Sequence, residues 1–479
     1  MSDQFLYANG INGITGGYLL EPQTSEAVAL AVRDTEVGPA EHIEAVKDKA
    51  SRADGTLGPL YDDPMDLKEA GWGVVFAAGL DPKVKERLAP LLKHREAMAG
   101  PRYHEFRWPV GANRVDSSFD FLVEHNAQPA APADPDVVPF YLMLVGSPEA
   151  IPFEFQYGLD VDYAVGRVWF ERDGQPDLDA FARYAESVVA AEGPAVRRSP
   201  TAAFFGVRHE QDPATQQSAD LLVGPLRDKV KGLPEFSGWS MPSYLASEAT
   251  KERLGRLLGG PETPALLFSA CHGLGLPLGD PRQLPDQGAL LCQDWCGPKL
   301  WGSGPVPPEL TFSARDLHGQ ASLHGMIAFL FACYGAGTPR LDDYPHPRLK
   351  AKVTIAARPF LSRLAQDMLA HPDGGALAVV GHVDRGWPST FTWEDKGHGF
   401  LPTYQNMIMR AMNGQRIGWA LDAFNLRYSR LGAELADIQR KERYEGYKPD
   451  SEHMAYLWTA TSDARAFVTL GDPAVKLNV

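Results

Sequence analysis

Residues 266–275, LLFSACHGLG, decide the fold together with residues 326–337, MIAFLFACYGAG. In each stretch a short apolar run ends on a reactive side chain that a glycine closely follows, His272 in the first and Cys333 in the second. Apolar runs of this length bounded by glycine predict buried strands of a parallel sheet. Because open α/β sheets bind ligands beyond the carboxyl ends of their strands, we expect the imidazole and the thiol to share one crevice.

An imidazole beside a thiol predicts nucleophilic catalysis. A thiol attacks as the thiolate, and an adjacent imidazole favours that form and later protonates the leaving amine. We therefore assign Cys333 as the nucleophile and His272 as general base and acid. Because glycine lets a backbone approach a bound peptide, the N–H groups of Gly273 and Cys333 are candidate donors to an oxyanion. The simpler alternative is that Cys333 is a buried apolar residue and His272 a hydrogen-bonded strand-end residue.

A strand–helix rhythm extends on both sides of these strands. Apolar segments at 73–78, 140–145 and 201–207 predict strands, and apolar residues at helical spacing predict helices over 83–98 and 215–230. Parallel strands joined by helices favour a right-handed, doubly wound α/β sheet. A chain of 479 residues is long enough for two domains or subdomains.

Composition and charge narrow the class of partner. The net charge of −15 argues against nucleic acid, because phosphate binding needs a basic surface. A run of about 18 apolar residues is lacking, which excludes a membrane span, and no secretory signal is visible at the start of the sequence. Cysteine is scarce, which suits a reducing compartment. We therefore expect a cytoplasmic protein that binds a protein or peptide substrate, and neither nucleic acid nor a membrane.

The two strand ends resemble those of the caspase-like cysteine peptidases, the group that contains caspases, gingipains, separase and CHAT-domain proteases. Three further segments are similar to motifs of the gingipain-like branch in order and rough spacing: 138–152 (VPFYLMLVGSPEAIP), 163–168 (YAVGRV) and 468–477 (VTLGDPAVKL). The resemblance extends from about Gly71 to the end of the sequence. It implies a caspase-like three-layer α/β sandwich with mainly parallel sheets and two subdomains side by side.

The resemblance divides the chain into an N-terminal extension (1–70), a non-catalytic α/β subdomain (71–195) and a catalytic subdomain (196–479). The extension either packs on the body, which is the favoured interpretation, or lies across the crevice as an inhibitory arm. The implied activity is that of a cysteine endopeptidase that cleaves a partner protein through an acyl-enzyme. Regulated proteolysis in antiviral defence or cell death is the implied setting. An activating or inhibitory protein partner, movement of the loop between His272 and Cys333, or self-cleavage within it would control the activity.

The resemblance also implies a pocket for the substrate side chain. Residues 208–220 correspond to the region in which the family carries its pocket acid, and they offer Glu210, Asp212 and Asp220. By spacing, Asp220 corresponds to the acid at the pocket floor, which would select arginine or lysine. Glu210 corresponds to a carboxylate that assists the histidine. The alternative for both is an ordinary surface carboxylate.

The loop after the strand that follows Cys333 lines the substrate groove in family members. Here that loop carries Trp387, whose ring would lie against a basic substrate side chain, or would instead anchor the loop to the core. His382 and Asp384 lie close by in sequence. We predict that they form part of the groove wall, because no second nucleophile accompanies them.

The sequence predicts neither a metal nor a cofactor. Cys292 and Cys296 are four positions apart, whereas zinc sites usually show tighter pairing and four ligands. The pair Asp342-Asp343 alone is too little for calcium. Two other function classes stay open. One is a catalytically silent scaffold that binds a partner; the other is a different acyl-transfer enzyme, whose G-x-S-x-G motif is not matched because Pro242 replaces the second glycine.

Overall fold

The computed structural model describes residues 5–33, 35, 38, 40–52, 61–108, 117–129, 131–317, 319, 321–346, 352–392 and 400–479. Its strands are β1 (Phe5–Leu6), β2 (Gly10–Asn12), β3 (Gln23–Thr24), β4 (Trp72–Ala77), β5 (Tyr103–Trp108), β6 (Tyr141–Val145), β7 (Ala164–Val168), β8 (Glu171–Arg172), β9 (Gln175–Pro176), β10 (Ala202–Gly206), β11 (Ser243–Leu245), β12 (Leu266–Ala270), β13 (Gly273–Gly275), β14 (Leu290–Leu291), β15 (Thr311–Phe312), β16 (Ile327–Phe331), β17 (Gly337–Thr338), β18 (Phe360–Leu361), β19 (Ala378–His382) and β20 (Phe467–Gly471).

The α-helices are α1 (Ser25–Val32), α2 (Ala40–Arg52), α3 (Leu67–Ala70), α4 (Pro82–Ala99), α5 (Ser118–Glu124), α6 (Phe153–Leu159), α7 (Leu178–Ala191), α8 (Pro213–Gln217), α9 (Gly224–Lys231), α10 (Lys251–Leu257), α11 (Gln283–Asp286), α12 (Arg363–Leu369), α13 (Phe400–Met412), α14 (Ile417–Glu445) and α15 (Ser451–Ala466). Among the described residues, none of these helices combines the length and apolar character that crossing a bilayer requires.

A sheet of ten strands forms the centre of the molecule, and helices flank it. The strand order is β11-β10-β12-β16-β19-β20-β7-β6-β4-β5. Neighbouring strands are parallel except for β19 and β20, which are antiparallel. The inner strands are mostly apolar and wholly buried, as expected of a sheet covered on both faces. The predicted fold class, a three-layer α/β sandwich with a mainly parallel sheet, is confirmed.

The two predicted subdomains contribute to one continuous sheet. Strands β4 to β7 form one half, and the last strand of the chain, β20, pairs with β7 and joins them to the other half. The turn after β20 reinforces this junction, because the buried carboxylate of Asp472 accepts hydrogen bonds from Trp72 over 2.9 Å and from Arg95 over 2.6 Å. The division at residues 71–195 and 196–479 stays a prediction.

A second, smaller sheet lies beyond the carboxyl edge of the large one. Its strand order is β15-β14-β13-β2, so three strands come from the segment between His272 and Cys333 and one from the N-terminus. The glycine and proline content of that segment predicts a long irregular loop, whereas the structure contains short strands there. The strand from the N-terminus is supplied by residues 10–12, far away in sequence, which local patterns do not reveal.

Candidate active site

Two neighbouring strands bring the predicted dyad to one edge of the sheet. β12 and β16 are parallel, and Ala270 and Phe331 are the last pair in register. His272 and Cys333 each follow that pair by two residues, so both leave the carboxyl edge at the same level. Ligands of α/β sheets bind at this edge.

The predicted oxyanion donors converge on one point. The N–H groups of Gly273 and Cys333 both donate to the main-chain carbonyl oxygen of Asn9, each over 3.3 Å. Two N–H groups that share one carbonyl oxygen have the arrangement of an oxyanion hole. A glycine is required at position 273, because a β-carbon there would lie 1.9 Å from the carbonyl oxygen of Cys333.

A carboxylate orients the imidazole of His272. The Nε2 atom of His272 lies 2.7 Å from Oδ2 of Asp212, and both side chains are fully buried. The hydroxyl groups of Tyr18 and Thr215 each donate to the same carboxylate over 2.7 Å. Within the described residues, Nδ1 of His272 has no hydrogen-bond partner. This nitrogen is therefore the one available to exchange a proton with the thiol or the substrate.

The charge state of Asp212 supports this arrangement. Burial alone would raise the pKa of Asp212, but the charge of His272 and the hydrogen bonds from His272 and Tyr18 outweigh burial and hold the pKa below its usual range. An ionised carboxylate at Nε2 favours the tautomer that carries its hydrogen there. Nδ1 is then left as the basic nitrogen.

The structure places Asp212, and not Glu210, at the imidazole. Glu210 is exposed to solvent, two positions before the buried Asp212. Between them, Gln211 adopts a positive φ of 55°, so the chain turns and directs the next carboxylate inward. Spacing alone did not distinguish two carboxylates in one loop. In the sequence, Asp212 differs from Glu210 in directly preceding Pro213, the first residue of α8.

Asp220 does not form the floor of a pocket. Its side chain is half exposed and accepts hydrogen bonds from Arg208, whose Nε lies 3.0 Å from each carboxylate oxygen. The prediction placed Asp220 by its distance along the chain. A π-helical turn, Ser218–Val223, places this residue on the outer face instead. Asp220 therefore forms a solvated surface ion pair with Arg208 in this structure.

Trp387 follows Gly386, whose N–H points at the sulfur of Cys333, and its side chain is buried rather than open to solvent. Its ring is 2% exposed, and it packs edge-on against Trp458 at a centroid distance of 5.8 Å. The same apolar cluster includes Leu6 and Ala8 from the N-terminus. The backbone N–H of Trp387 donates over 2.9 Å to the carboxylate of Asp463.

The backbone of Asp384 supports the loop that carries Cys333. Its carbonyl oxygen accepts a 2.7 Å hydrogen bond from the N–H of Tyr334, the residue after Cys333. Its buried carboxylate contacts Arg385, which also pairs with Asp342. Burial is the main cause that raises the pKa of Asp384 to about 7, against the opposing charge of Arg385. His382, which was predicted to form part of the same groove wall, pairs with Asp463 over 3.1 Å.

The thiol of Cys333 is closed off from solvent in this arrangement. The residue is 0% exposed, and the N–H of Gly386 points at its sulfur over 3.3 Å. Burial raises the pKa of the Cys333 thiol to about 12, although the Gly386 N–H opposes the shift. The thiol is therefore protonated at neutral pH while the site is closed.

The element that closes the site is the N-terminal segment. Gly10 lies directly over Cys333: a β-carbon at this position would be 3.1 Å from its sulfur. Helices α1 and α2 of the same predicted extension pack on the body through α14 and α15, as the favoured interpretation expected. Residues 9–19 of the extension do not pack in this way. They lie across the crevice, as in the alternative interpretation of the extension.

Three side chains at the site have the donor set of a metal site. Within the described residues, the ligand atoms of His209, Asp212 and His272 lie within 4.8 Å of one another, although the sequence predicted no metal. In the geometry observed, His272 hydrogen-bonds directly to Asp212, as in a carboxylate–imidazole pair. Cys292 is buried and Cys296 exposed, and neither belongs to this group.

Comparisons with known proteins give a coarse structural likeness. Neither a protein-family model nor a curated protein sequence matches the chain. A solved structure described as "Structure of Protease" is similar, with a TM-score of 0.49 and 12% sequence identity, over 89% of this chain and 80% of that one. A likeness at this level does not bear on which residues act.

Proposed function

We propose that the chain is a cysteine endopeptidase whose nucleophile is Cys333 and whose general base and acid is His272. One observation carries the proposal. The N–H groups of Gly273 and Cys333 converge on a single carbonyl oxygen, beside an imidazole that a buried carboxylate orients. An enzyme that attacks carbonyl carbon with a thiolate needs these parts together.

The proposed mechanism begins with proton transfer from the thiol of Cys333 to the imidazole of His272. The thiolate attacks the carbonyl carbon of the scissile peptide bond, and the N–H groups of Gly273 and Cys333 stabilise the oxyanion. The imidazolium then protonates the leaving nitrogen, and a thioester is left on the enzyme. His272 next takes a proton from water, which hydrolyses the thioester and releases the new carboxylate.

Asp212 has a positioning role in this mechanism. It accepts a hydrogen bond from Nε2 of His272 and so leaves Nδ1 for the reacting groups. Because the carboxylate is ionised, it also stabilises the imidazolium that forms during the reaction. The arrangement is a Cys-His-Asp set in place of the predicted dyad with Glu210.

A catalytically silent scaffold is the second candidate, and one observation favours it. Cys333 is wholly buried, and burial raises the pKa of its thiol to about 12. A permanently closed thiol would not react.

The biological setting rests on the resemblance alone. By that resemblance, an enzyme whose site is closed at rest would act in regulated proteolysis such as antiviral defence or cell death.

Thiol labelling and peptide cleavage distinguish the two candidates. The protein is treated with an electrophilic peptide probe and with a peptide library, beside Cys333→Ala and, as a matched control, Cys296→Ala, which changes an exposed cysteine. We expect cleavage and labelling of Cys333 in the wild type and the control, and neither in Cys333→Ala. A scaffold would cleave no peptide and would label no more at Cys333 than at the buried Cys292, even in variants that loosen the N-terminal segment.

A further inference from the structure

The backbone of Asn9 makes the contacts that a peptide substrate would make. Its N–H donates to the carbonyl oxygen of Gly386 over 2.8 Å. Its carbonyl oxygen accepts from the N–H groups of Gly273 and Cys333, the two donors assigned to the oxyanion. The residue that follows, Gly10, lies over the sulfur of Cys333. Asn9 and Gly10 therefore occupy the positions on either side of a scissile bond.

The side chain of Asn9 fills a small, buried pocket at the ends of the two strands that carry the dyad. Its Nδ2 donates to the carbonyl oxygen of Cys271 over 2.6 Å and to that of Phe331 over 3.4 Å. The residue is 0% exposed. Carbonyl oxygens only accept hydrogen bonds, so this pocket accommodates an NH₂ group and repels a carboxylate of the same shape.

Residues on both sides of Asn9 hold it in this register. On the N-terminal side, Leu6 and Ala8 belong to the apolar cluster around Trp387. On the C-terminal side, Gly10–Asn12 pairs in parallel with Gly273–Gly275, the strand that follows His272.

The chain then turns back, and the return arm contacts the catalytic machinery. The backbone N–H of Leu19 donates to the carbonyl oxygen of Gly10 over 3.0 Å, which closes a hairpin over residues 9–19. This places the hydroxyl of Tyr18 2.7 Å from the carboxylate of Asp212. The hairpin therefore contacts the carboxylate as well as the oxyanion donors.

We propose that this hairpin is an internal substrate that blocks the active site, and that the pocket at Cys271 and Phe331 selects asparagine. The inference rests on the proposed function and names its substrate class: peptides with asparagine before the cleaved bond. The preference for arginine or lysine that Asp220 would have supplied is replaced by this pocket.

The chemistry at the hairpin is that of the proposed mechanism. The sulfur of Cys333 bonds to the carbonyl carbon of Asn9, the bond to the Gly10 nitrogen breaks, and His272 supplies the proton that this nitrogen takes up. Water then hydrolyses the thioester. The products are a new carboxylate on Asn9 and a new amino terminus on Gly10. While the bond is intact, the hairpin covers Cys333 and excludes other substrates.

The test uses the full chain and one matched pair of substitutions. Asn9→Asp replaces the NH₂ donor in the pocket by an oxygen. Asn12→Asp makes the same chemical change in the same hairpin, but there the Asn12 side chain acts through Oδ1, which accepts from the N–H of Ile14 over 2.9 Å, and aspartate retains that oxygen. Both variants are first compared with the wild type by thermal denaturation.

Three measurements follow for each protein. N-terminal sequencing on incubation reports cleavage between Asn9 and Gly10, with Cys333→Ala as the uncleaved control. An iodoacetamide time course reports the exposure of Cys333. Cleavage of the peptide LYANGI, residues 6–11, is compared with versions that carry aspartate, arginine or lysine in place of the asparagine.

We expect the wild type and Asn12→Asp to acquire Gly10 as N-terminus, and Asn9→Asp to do so at least about tenfold more slowly, since the lost hydrogen bonds correspond to one power of ten or more. In protein whose bond after Asn9 is still intact, labelling of Cys333 should be at least about tenfold faster in Asn9→Asp than in the wild type. The asparagine peptide should be cleaved fastest of the four.

Two failures can be told apart. Cleavage of arginine or lysine peptides, without cleavage of the asparagine peptide or of the bond after Asn9, would overturn this inference and leave the endopeptidase standing. Absence of cleavage of every peptide, with an unreactive Cys333 in Asn9→Asp, would overturn the proposed function as well.

Discussion

The imidazole of His272 and the carboxylate of Asp212 lie 2.7 Å apart, and solvent reaches neither side chain. Sixty positions separate the two residues in the chain. The pair links the loop after β10 to the end of β12, so the orientation of the base depends on how two neighbouring strands end. A buried pair of this kind is sensitive to the loss of either partner.

Replacing Asp212 should impair catalysis far more than binding. In Asp212→Asn the imidazole loses the charge that stabilises its protonated form, and we expect kcat for peptide cleavage to fall by about 10²–10⁴ with KM little changed. Steady-state kinetics measures both constants. Glu210→Gln is the matched control, because it neutralises a carboxylate two positions away that faces solvent. A similar loss of kcat in Glu210→Gln would contradict the assignment of Asp212.

The strands that carry the dyad were predictable because their signal is local. β12 and β16 are five-residue, largely apolar strands, and His272 and Cys333 each follow two positions after them, with a glycine close behind. The parallel register follows from adjacent placement in the sheet. The identity of the carboxylate was not predictable from spacing. It depends on one positive φ at Gln211, which directs Asp212 inward and leaves Glu210 in solvent.

The contacts of Asn9 lay beyond any local pattern. Its side chain bonds to carbonyl groups 262 and 322 positions away, and a sequence window around residue 9 contains nothing that selects these partners. The segment mixes glycine with apolar residues, so its periodicity indicates neither a helix nor a long strand. Only the three-dimensional pairing of residues 10–12 with 273–275 reveals where it lies.

Close packing at Gly273 should make an alanine there costly. A β-carbon at this position would overlap the carbonyl oxygen of Cys333 at 1.9 Å, and backbone cannot move aside as a side chain can. We expect Gly273→Ala to lower the free energy of unfolding by at least about 1–3 kcal/mol, as overpacking does, and to reduce cleavage by displacing an oxyanion donor.

Urea denaturation and the cleavage rate measure both effects of Gly273→Ala. Gly238→Ala is the control, because a β-carbon there meets no atom of the described residues within 4 Å. It should retain the stability and activity of the wild type. Equal behaviour of the two variants would contradict the close approach of residue 273 to the nucleophile loop.

Zinc should inhibit the proposed peptidase activity rather than support it. His209, Asp212 and His272 offer ligand atoms within 4.8 Å of one another, and a bound ion would occupy the Nε2 atom and the carboxylate that the base requires. We expect activity to survive dialysis against a chelator and to fall on addition of micromolar zinc. His209→Ala removes one ligand, so zinc should inhibit this variant less. Its ratio of cleavage rates with and without zinc should be closer to one than that of the wild type. Loss of activity with the chelator and recovery with zinc would instead identify a metalloenzyme.

The stability of the protein should fall as the pH rises through the range in which Asp384 ionises. The pKa of this carboxyl group is about 7 in the folded chain, above its ordinary value, because burial outweighs the charge of Arg385. Between about pH 4 and pH 7 the folded state therefore holds a proton that the unfolded state has released, so raising the pH favours unfolding. Asp384→Asn cannot ionise, and asparagine tolerates the positive φ of 74° at this position.

The free energy of unfolding is measured in urea at pH 5 and pH 8. We expect the wild type to lose more of it between these pH values than Asp384→Asn does. Asp373→Asn, which changes an exposed carboxylate, should lose as much as the wild type. If Asp384→Asn and the wild type lost equal amounts, the carboxyl group of Asp384 would be ionised throughout this range. The charge of Arg385 would then lower the pKa of Asp384 more than burial raises it. The loop that carries Cys333 would be held by an Asp384–Arg385 ion pair and not by a protonated acid.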